Sequence, residues 1–240
     1  MFNIIICKNY EEVSAEAFKV LKEVVVKNET PVLGLATGSS PIGLYKNIQA
    51  DHKKGYSYSK CITFNLDEYI GIDKNHEQSY WTFMHENLFN HLDVKEENIN
   101  IPDGNSDDPK QACLDYEEKL NKYEVDLQVL GIGSNGHIGF NEPGTAFDSK
   151  TQIVELDEQT RKDNARFFDS IDDVPTHSIT MGIESITRAK KIVVIATGEN
   201  KADAVYGMIK GPVTTDLPAS ILQRHDNVVV ILDNDAASKL

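Results

Sequence analysis

The sequence predicts a single α/β domain, residues 1–240, built on a doubly wound, mainly parallel, Rossmann-like sheet. The first observation is that short apolar runs alternate with longer segments whose apolar residues recur every three or four positions. The second is that the loops richest in glycine and polar side chains follow predicted strands, where such folds place their ligand sites. The third is that the chain shows no internal repeat, low-complexity linker or break in composition.

Seven apolar runs are predicted as strands. They are residues 2–7, 32–36, 61–66, 125–130, 152–156, 191–196 and 228–232. The runs 191–196 and 228–232 are rich in β-branched residues, which is typical of central strands in a parallel sheet.

Helices are predicted between these strands. Asn9 can cap the first helix, and Pro41 lies near the first turn of the second. Further helices are predicted over residues 78–90, 109–122 and 201–209, and from about Asp157. The segment 157–181 is also a candidate lid, because it is a polar stretch between strands that carries Arg166.

Composition excludes several classes of partner. The net charge of −14 argues against binding to nucleic acid or an anionic membrane. No segment approaches the roughly 18 apolar residues that a membrane span requires, and the N-terminus has no signal-peptide pattern. Three cysteines at positions 7, 61 and 113 match neither a disulfide framework nor a metal-binding spacing. We therefore expect a cytoplasmic protein.

The glycine-rich segment 131–143, GIGSNGHIGFNEP, carries the strongest functional pattern. It follows a predicted strand, and four glycines in nine positions carry a large entropy cost on folding. Such a loop usually exists because a ligand must approach the backbone closely. His137 lies in this loop five positions before Glu142, whose carboxylate can orient the imidazole and raise its basicity.

The same segment also fits the spacing of a dinucleotide-binding fingerprint. Gly131, Gly133 and Gly136 supply the glycines, and Glu155 lies about 20 positions further on. That fingerprint requires a helix to begin at its third glycine. Gly139, Pro143 and Gly144 would break such a helix, so this alternative is disfavoured.

A second loop has the features of a phosphate cradle. Thr37, Gly38, Ser39 and Ser40 join a strand to a helix, so amide hydrogens and hydroxyls can converge at the positive end of the helix dipole. The spacing and lysine of a Walker loop are missing. The loop taken alone is equally consistent with an ordinary turn that has a capping hydroxyl.

Charged side chains follow three other predicted elements. Asp67 and Glu68 end the third strand, where one carboxylate can serve as a general base or simply cap the next turn. Arg166 and Lys201 can complete a phosphate site or remain solvated surface charges. No metal site is predicted, because the sequence contains neither an HExxH motif nor a cluster of cysteine and histidine.

With these loops in this order, the chain resembles the glucosamine-6-phosphate deaminase family of sugar-phosphate isomerases. The resemblance covers essentially the whole length. It rests on LATGSSP at 35–41, FNLDEY at 64–69, GIGSNGHIGFNEP at 131–143, ARFF at 165–168 and GENK at 198–201. The 6-phosphogluconolactonases share the fold and the phosphate-loop pattern, but the second and third motifs together favour the deaminases.

The resemblance implies a reaction and a set of roles. Family members convert glucosamine 6-phosphate and water to fructose 6-phosphate and ammonium, without a redox cofactor or a metal. His137 would open the pyranose ring with help from Asn135 and Glu142, and Asp67 would carry a proton from C2 to C1. The phosphate group would lie on Thr37, Gly38, Ser39, Ser40, Arg166 and Lys201.

Two departures from the family pattern bear on catalysis and on regulation. Some members have aspartate where this chain has Asn135, so the imidazole here would be oriented by one carboxylate and by hydrogen bonds. Allosteric members bind N-acetylglucosamine 6-phosphate through basic residues at positions that match Gln152 and Val154, and they extend beyond the position of Leu240. We therefore expect no activation by that effector, and a monomer or small homo-oligomer.

Three other functions compete with this interpretation. A 6-phosphogluconolactonase and a galactosamine-6-phosphate isomerase would use the same fold with a different substrate. A regulator that binds sugar phosphates without chemistry would be expected to lack the base or the histidine, whereas Asp67, His137 and Glu142 are all present.

Overall fold

A seven-stranded parallel sheet forms the centre of the molecule. The computed structural model describes residues 2–156, 158, 161, 162, 168 and 170–240. The strands of this sheet are β1 (Asn3–Cys7), β2 (Val32–Leu35), β3 (Ile62–Asn65), β5 (Ile99–Asn100), β6 (Leu127–Leu130), β9 (Ile192–Ala196) and β10 (Val228–Asp233). Their order is β1-β10-β9-β6-β2-β3-β5, and every neighbouring pair is parallel. The prediction of a doubly wound, mainly parallel sheet is confirmed.

Helices cover both faces of this sheet. They are α1 (Tyr10–Lys27), α2 (Ile42–Lys53), α3 (Tyr80–Asn87), α4 (Pro109–Leu120), α5 (Ile183–Thr187) and α6 (Ala202–Lys210). Asn9 caps α1 as predicted, because its side-chain oxygen accepts the amide hydrogen of Glu12 at 2.9 Å. The third helix is shorter than the predicted 78–90, since Ser79 caps α3 by accepting the amide of Thr82. The predicted helix from Asp157 lies partly outside the described residues.

The alternation of side chains along β9 divides the core into two layers. Val193 and Ile195 pack into a cluster with the buried faces of α1 and α2. Ile192, Val194 and Ala196 pack into the opposite cluster, which contains residues of α4, α5 and α6. Both faces of the strand are therefore buried, as its uninterrupted apolar sequence predicts.

A second, antiparallel sheet was not predicted. It consists of β4 (Asp67–Tyr69), β8 (His177–Thr180) and β7 (Gln152–Glu155), in the order β4-β8-β7. Residues 152–156 form a strand as expected, but they pair in this sheet and not in the main one. Because β4 follows β3 after a single residue, the small sheet adjoins the carboxyl edge of the large one. Among the described residues, no helix is long and apolar enough to cross a membrane.

Candidate active site

Four predicted site loops follow four neighbouring strands of the main sheet. The strands are β9, β6, β2 and β3, and their carboxyl ends lie at one edge because they are parallel. The glycine-rich loop follows β6, which lies between the strand that precedes Lys201 and the strand that precedes Thr37. The glycine-rich loop and the loop of Thr37 touch each other, since a Cβ atom placed on Gly131 would lie 3.7 Å from the Oγ of Ser40. The strand order therefore brings the candidate residues of these four loops to one edge of the sheet.

His137, Asn135 and Glu142 form a hydrogen-bonded group within the glycine-rich loop. The Oδ1 atom of Asn135 lies 2.8 Å from Nδ1 of His137, and Nδ2 of Asn135 donates to Oε2 of Glu142 at 2.7 Å. That same carboxylate oxygen lies 3.4 Å from Nδ1 of His137. The side chains of His137 and Glu142 are 24% and 16% exposed, so the group lies at the surface of a partly enclosed site. The structure thus brings together three of the four predicted catalytic residues.

This group fixes the tautomer of the imidazole. An ionised carboxylate only accepts hydrogen bonds, so Asn135 must direct its NH₂ group toward Glu142. Its carbonyl oxygen then faces Nδ1 of His137, and a neutral imidazole meets that acceptor by carrying its hydrogen on Nδ1. The Nε2 atom is left with a lone pair that can accept a proton.

Gly133 makes room for the ring of His137, and the glycines of this loop do not form a nucleotide-binding turn. A Cβ atom on Gly133 would lie 2.3 Å from Nδ1 of His137, so only glycine lets the ring approach the backbone so closely. Gly136 has a φ of +85°, and its missing Cβ would lie 2.5 Å from Leu217. No helix begins at Gly136, because residues 137–150 form turns, irregular backbone and one isolated β-bridge. This contradicts the dinucleotide alternative, as expected.

Asp67 lies on β4, where the two sheets meet. Its side chain is buried, at 6% relative exposure. Burial raises the pKa of its carboxyl group to about 8, and the neighbouring charge of Glu68 adds to the effect. A Cβ atom on Gly139 would lie 3.6 Å from Oδ2 of Asp67, so the loop of His137 packs directly against this carboxylate. The predicted base and the predicted proton carrier therefore belong to adjoining segments.

Glu68 has a different role from its neighbour. Its carboxylate accepts amide hydrogens from Tyr69 and Tyr80 on Oε1 and from Trp81 on Oε2, each at 2.9 Å. Two of these amides belong to the first turn of α3, so Glu68 binds the beginning of that helix to β4. Of the two adjacent carboxylates, Glu68 is the one that caps, and Asp67 stays the candidate for chemistry.

The loop of residues 37–40 presents unused amide groups. Among the described residues, the amides of Gly38, Ser39 and Ser40 have no protein acceptor. Gly38 has a φ of +86°, and Pro41, the cap residue of α2, makes no side-chain hydrogen bond. The loop is partly exposed and lies at the amino end of α2, where the helix dipole favours an anion. This geometry favours the phosphate cradle over a side-chain-capped turn.

Of the two predicted cationic side chains, Lys201 lies within the described residues and Arg166 does not. Lys201 ends a short 3₁₀ helix, Glu199–Lys201, immediately before α6. That loop is held to the next strand, because the amide of Gly198 donates to the carboxylate of Asp233 at 3.0 Å. Arg166 lies outside the described residues, as do several other residues of the candidate lid 157–181, whose last part contains the strand β8. The lid stays a prediction. The described residues contain no group of three or more metal-ligating side chains.

Two further residues at the site were not predicted from the sequence. Thr180 pairs with Asp67 across the small sheet, and its hydroxyl accepts the amide hydrogen of Phe140 at 3.1 Å. Tyr80 stacks on Phe140, which lies in the loop of His137. Nothing local in the sequence marks either residue, because each contact joins segments that are far apart along the chain.

Comparisons with known proteins identify the family of this chain. The family model for glucosamine-6-phosphate isomerases and 6-phosphogluconolactonase matches residues 8–231. A glucosamine-6-phosphate deaminase of Clostridium novyi (strain NT) is 52% identical over 235 residues, which cover 97% of this chain and 98% of that protein. A glucosamine-6-phosphate deaminase of Clostridium botulinum (strain Alaska E43 / Type E3) is 50% identical over 239 residues, covering 99% and 96%.

Solved structures extend the similarity to the fold. The structure of a monomeric glucosamine-6-phosphate deaminase matches with a TM-score of 0.97 and 42% identity, covering 99% of this chain and 100% of that one. A 6-phosphogluconolactonase from Trypanosoma brucei matches with a TM-score of 0.84 but only 18% identity, covering 100% and 99%. The second similarity concerns the fold alone.

Proposed function

The chain belongs to the family of glucosamine-6-phosphate isomerases and 6-phosphogluconolactonases, and from that premise we propose that it deaminates glucosamine 6-phosphate to fructose 6-phosphate and ammonium. The observation that carries the proposal is the packing of Asp67 against the loop of His137, beside a loop with unused amides. An aldose–ketose isomerisation needs a base next to a carbon that is acidified by a carbonyl group, and it needs no redox cofactor.

Ring opening is assigned to His137. Its Nε2 atom takes the proton of the anomeric hydroxyl and returns a proton to the ring oxygen, which yields the open-chain aldehyde. Asn135 and Glu142 assist by holding the hydrogen of the neutral ring on Nδ1. The ring that acts as base in one half of this step acts as acid in the other.

Deamination is assigned to Asp67. The carboxylate removes the proton from C2 of the aldehyde while the protonated amino group of the substrate supplies a proton to O1, which gives an enolamine. Asp67 then returns its proton to C1, which leaves an iminium group at C2. Water then replaces the imine nitrogen, so that fructose 6-phosphate and ammonium are released. A pKa of about 8 suits this transfer, because a carboxylate of raised pKa is a stronger base than an ordinary one and still ionises near neutral pH.

The phosphate group of the substrate is assigned to the amides and hydroxyls of residues 37–40. Arg166 and Lys201 supply positive charge at the phosphate group, although the chain as a whole has a net charge of −14. Because the overall field repels anions, this local cluster of donors determines whether a sugar phosphate binds at all.

We also propose a monomer or small homo-oligomer in the cytoplasm, without activation by N-acetylglucosamine 6-phosphate. Gln152 uses its side-chain amide to donate to Asn141 at 3.3 Å, and Val154 packs beside Tyr69 and Phe140. Neither side chain carries a charge with which to bind a phosphate effector. A sigmoidal rate curve that this effector makes hyperbolic would contradict the proposal. The cytoplasmic assignment is supported by three buried, unpaired cysteines, Cys7, Cys61 and Cys113.

The proposed function is tested by measuring both products from glucosamine 6-phosphate, with a chelator present and without nucleotide. Equimolar ammonium and fructose 6-phosphate are expected. Galactosamine 6-phosphate and 6-phosphogluconolactone serve as competing substrates. Hydrolysis of the lactone without release of ammonium would retain the fold and the phosphate loop but overturn the roles of Asp67 and His137. Binding of sugar phosphates without turnover would favour a regulator.

A further inference from the structure

We propose that Tyr10 is a positioning residue for the phosphate loop: the hydroxyl group of Tyr10 orients the Ser39–Ser40 turn. The inference rests on the proposed function, because it takes residues 37–40 to be the phosphate-binding loop. Tyr10 is the first residue of α1 and lies 29 positions before Ser39. No motif in the sequence connects it with the site.

The hydroxyl of Tyr10 contacts the backbone on both sides of Pro41. It lies 2.8 Å from the carbonyl oxygen of Ser39 and 3.3 Å from that of Ser40, and it donates its hydrogen toward them. It also accepts the amide hydrogen of Gly43, in the first turn of α2, at 2.8 Å. Since Pro41 makes no side-chain cap, Tyr10 supplies from another helix the capping oxygen that α2 lacks.

The direction of one amide follows from these contacts. In a trans peptide the C=O of one residue and the N–H of the next point in opposite directions, and the described chain contains no cis peptide. Holding the carbonyl of Ser39 toward Tyr10 therefore turns the N–H of Ser40 away from α1. The hydroxyl of Ser40 lies beside Gly131, where the loop of His137 begins. Tyr10 thus leaves the amide of Ser40 free for a ligand.

Gly43 permits this arrangement. A Cβ atom on Gly43 would lie 2.1 Å from Oγ of Ser14 and 3.1 Å from Cε1 of Tyr10, so a larger residue would push α1 away. Ser14 in turn donates its hydroxyl to the carbonyl of Tyr10 at 2.8 Å. The backbone of Tyr10 is therefore held within α1, from which its side chain reaches the turn at Ser39.

The test replaces the hydroxyl group alone, in Tyr10→Phe. We expect the Kd for inorganic phosphate and the KM for glucosamine 6-phosphate to rise about five- to tenfold, as for the loss of one hydrogen-bonded support. The kcat should stay within about twofold of the wild-type value, since no reacting atom is touched. The phenyl ring fills the same volume and Tyr10 is only half-buried, so we expect the Tm to change by at most about 3 °C.

Tyr206→Phe is the matched control, because it removes a hydroxyl from a tyrosine of α6 that is 47% exposed. Phosphate affinity and KM in Tyr10→Phe equal to those of the control would overturn the inference. A fall in kcat at unchanged KM would also overturn it. Wild-type protein that releases no ammonium, but binds phosphate more tightly than Tyr10→Phe does, would refute the proposed function and support the role of Tyr10.

Discussion

The carbonyl oxygen of Asn135 lies 2.8 Å from Nδ1 of His137, so this amide is nearer to Nδ1 than the carboxylate of Glu142, which lies at 3.4 Å. Because the amide nitrogen of Asn135 donates a hydrogen bond to Glu142, the carbonyl oxygen of Asn135 must face Nδ1 of His137. An uncharged group therefore transmits the orientation that the carboxylate sets. The consequence is a defined tautomer, with the lone pair of His137 on Nε2.

Asn135 should be replaceable by another acceptor but not by an apolar side chain. We expect Asn135→Leu to lower kcat about 100-fold with little change in KM, because the ring loses the acceptor that fixes its tautomer. Asn135→Asp, which keeps an oxygen beside Nδ1, should remain within about tenfold of wild-type kcat. Steady-state kinetics at saturating glucosamine 6-phosphate checks both. Equal kcat values for the two variants would refute the relay through Asn135.

The buried base should be visible in the pH dependence of kcat/KM. Burial and the charge of Glu68 raise the pKa of Asp67 to about 8, and only the ionised form removes a proton. We therefore expect kcat/KM to rise with pH and to level off above about 8. Glu68→Gln removes the neighbouring charge, so the rise of kcat/KM should occur at lower pH in this variant. Ionisation of the substrate is the same for the wild type and the variant. An unchanged pH profile would therefore argue against Asp67 as the titrating group.

Glu117 should stabilise the fold without affecting catalysis. Its buried carboxylate accepts hydrogen bonds from Thr151 and Ser185 and pairs with Arg188 at 2.5 Å. Burial alone would raise the pKa of Glu117, but these hydrogen bonds and the charge of Arg188 outweigh it and the pKa is lowered. A lowered pKa means that the ionised form stabilises the native state above the unfolded pKa, and that this contribution is lost as the pH falls through the folded value.

We accordingly expect Glu117→Gln to lose roughly 2–3 kcal/mol of unfolding free energy at pH 7. The difference from wild type should shrink toward pH 4, and kcat should be retained. The control is Glu118→Gln on the same helix, whose carboxylate is 73% exposed and should contribute less than about 0.5 kcal/mol. Urea unfolding at several pH values measures both. A pH-independent difference would show that the charge of Glu117 is not the cause.

We expect the protein to become more stable when Thr63 is replaced by valine. Its hydroxyl on β3 is buried and has no hydrogen-bond partner among the described residues. Thr63→Val removes this unsatisfied group at nearly constant volume and should raise the unfolding free energy by about 1 kcal/mol. Thr151→Val is the contrasting control, because its hydroxyl donates to Glu117 at 2.6 Å, and its loss should destabilise. Two changes of the same sign would contradict this explanation.

The site loops could be predicted because each follows a strand recognisable from its own apolar residues. The run 125–130 identifies β6, and the parallel sheet then brings its loop beside that of Thr37. The small sheet could not be predicted in this way. Its strand β4 has the polar sequence Asp-Glu-Tyr, and it pairs with β8 more than 100 residues later. Local periodicity contains no information about such a partner.

The sequence alone also could not assign separate roles to the two adjacent carboxylates. By residue type and position, Asp67 and Glu68 are equivalent candidates for a general base or a helix cap. They are distinguished by where α3 begins, because the amides of Tyr80 and Trp81 bind Glu68 and leave Asp67 beside Gly139. Tyr10 is similar, since its contact with the turn of Ser39 arises only when α1 packs against α2.

The most direct test of the account is the turnover of Asp67→Asn. The substitution keeps the size of the side chain and removes the only group assigned to move the proton between C2 and C1. We expect kcat for ammonium release to fall at least about 1,000-fold, while the Kd for inorganic phosphate stays within about twofold. A variant that retains kcat within about tenfold of wild type would show that another group is the base and would contradict the central claim.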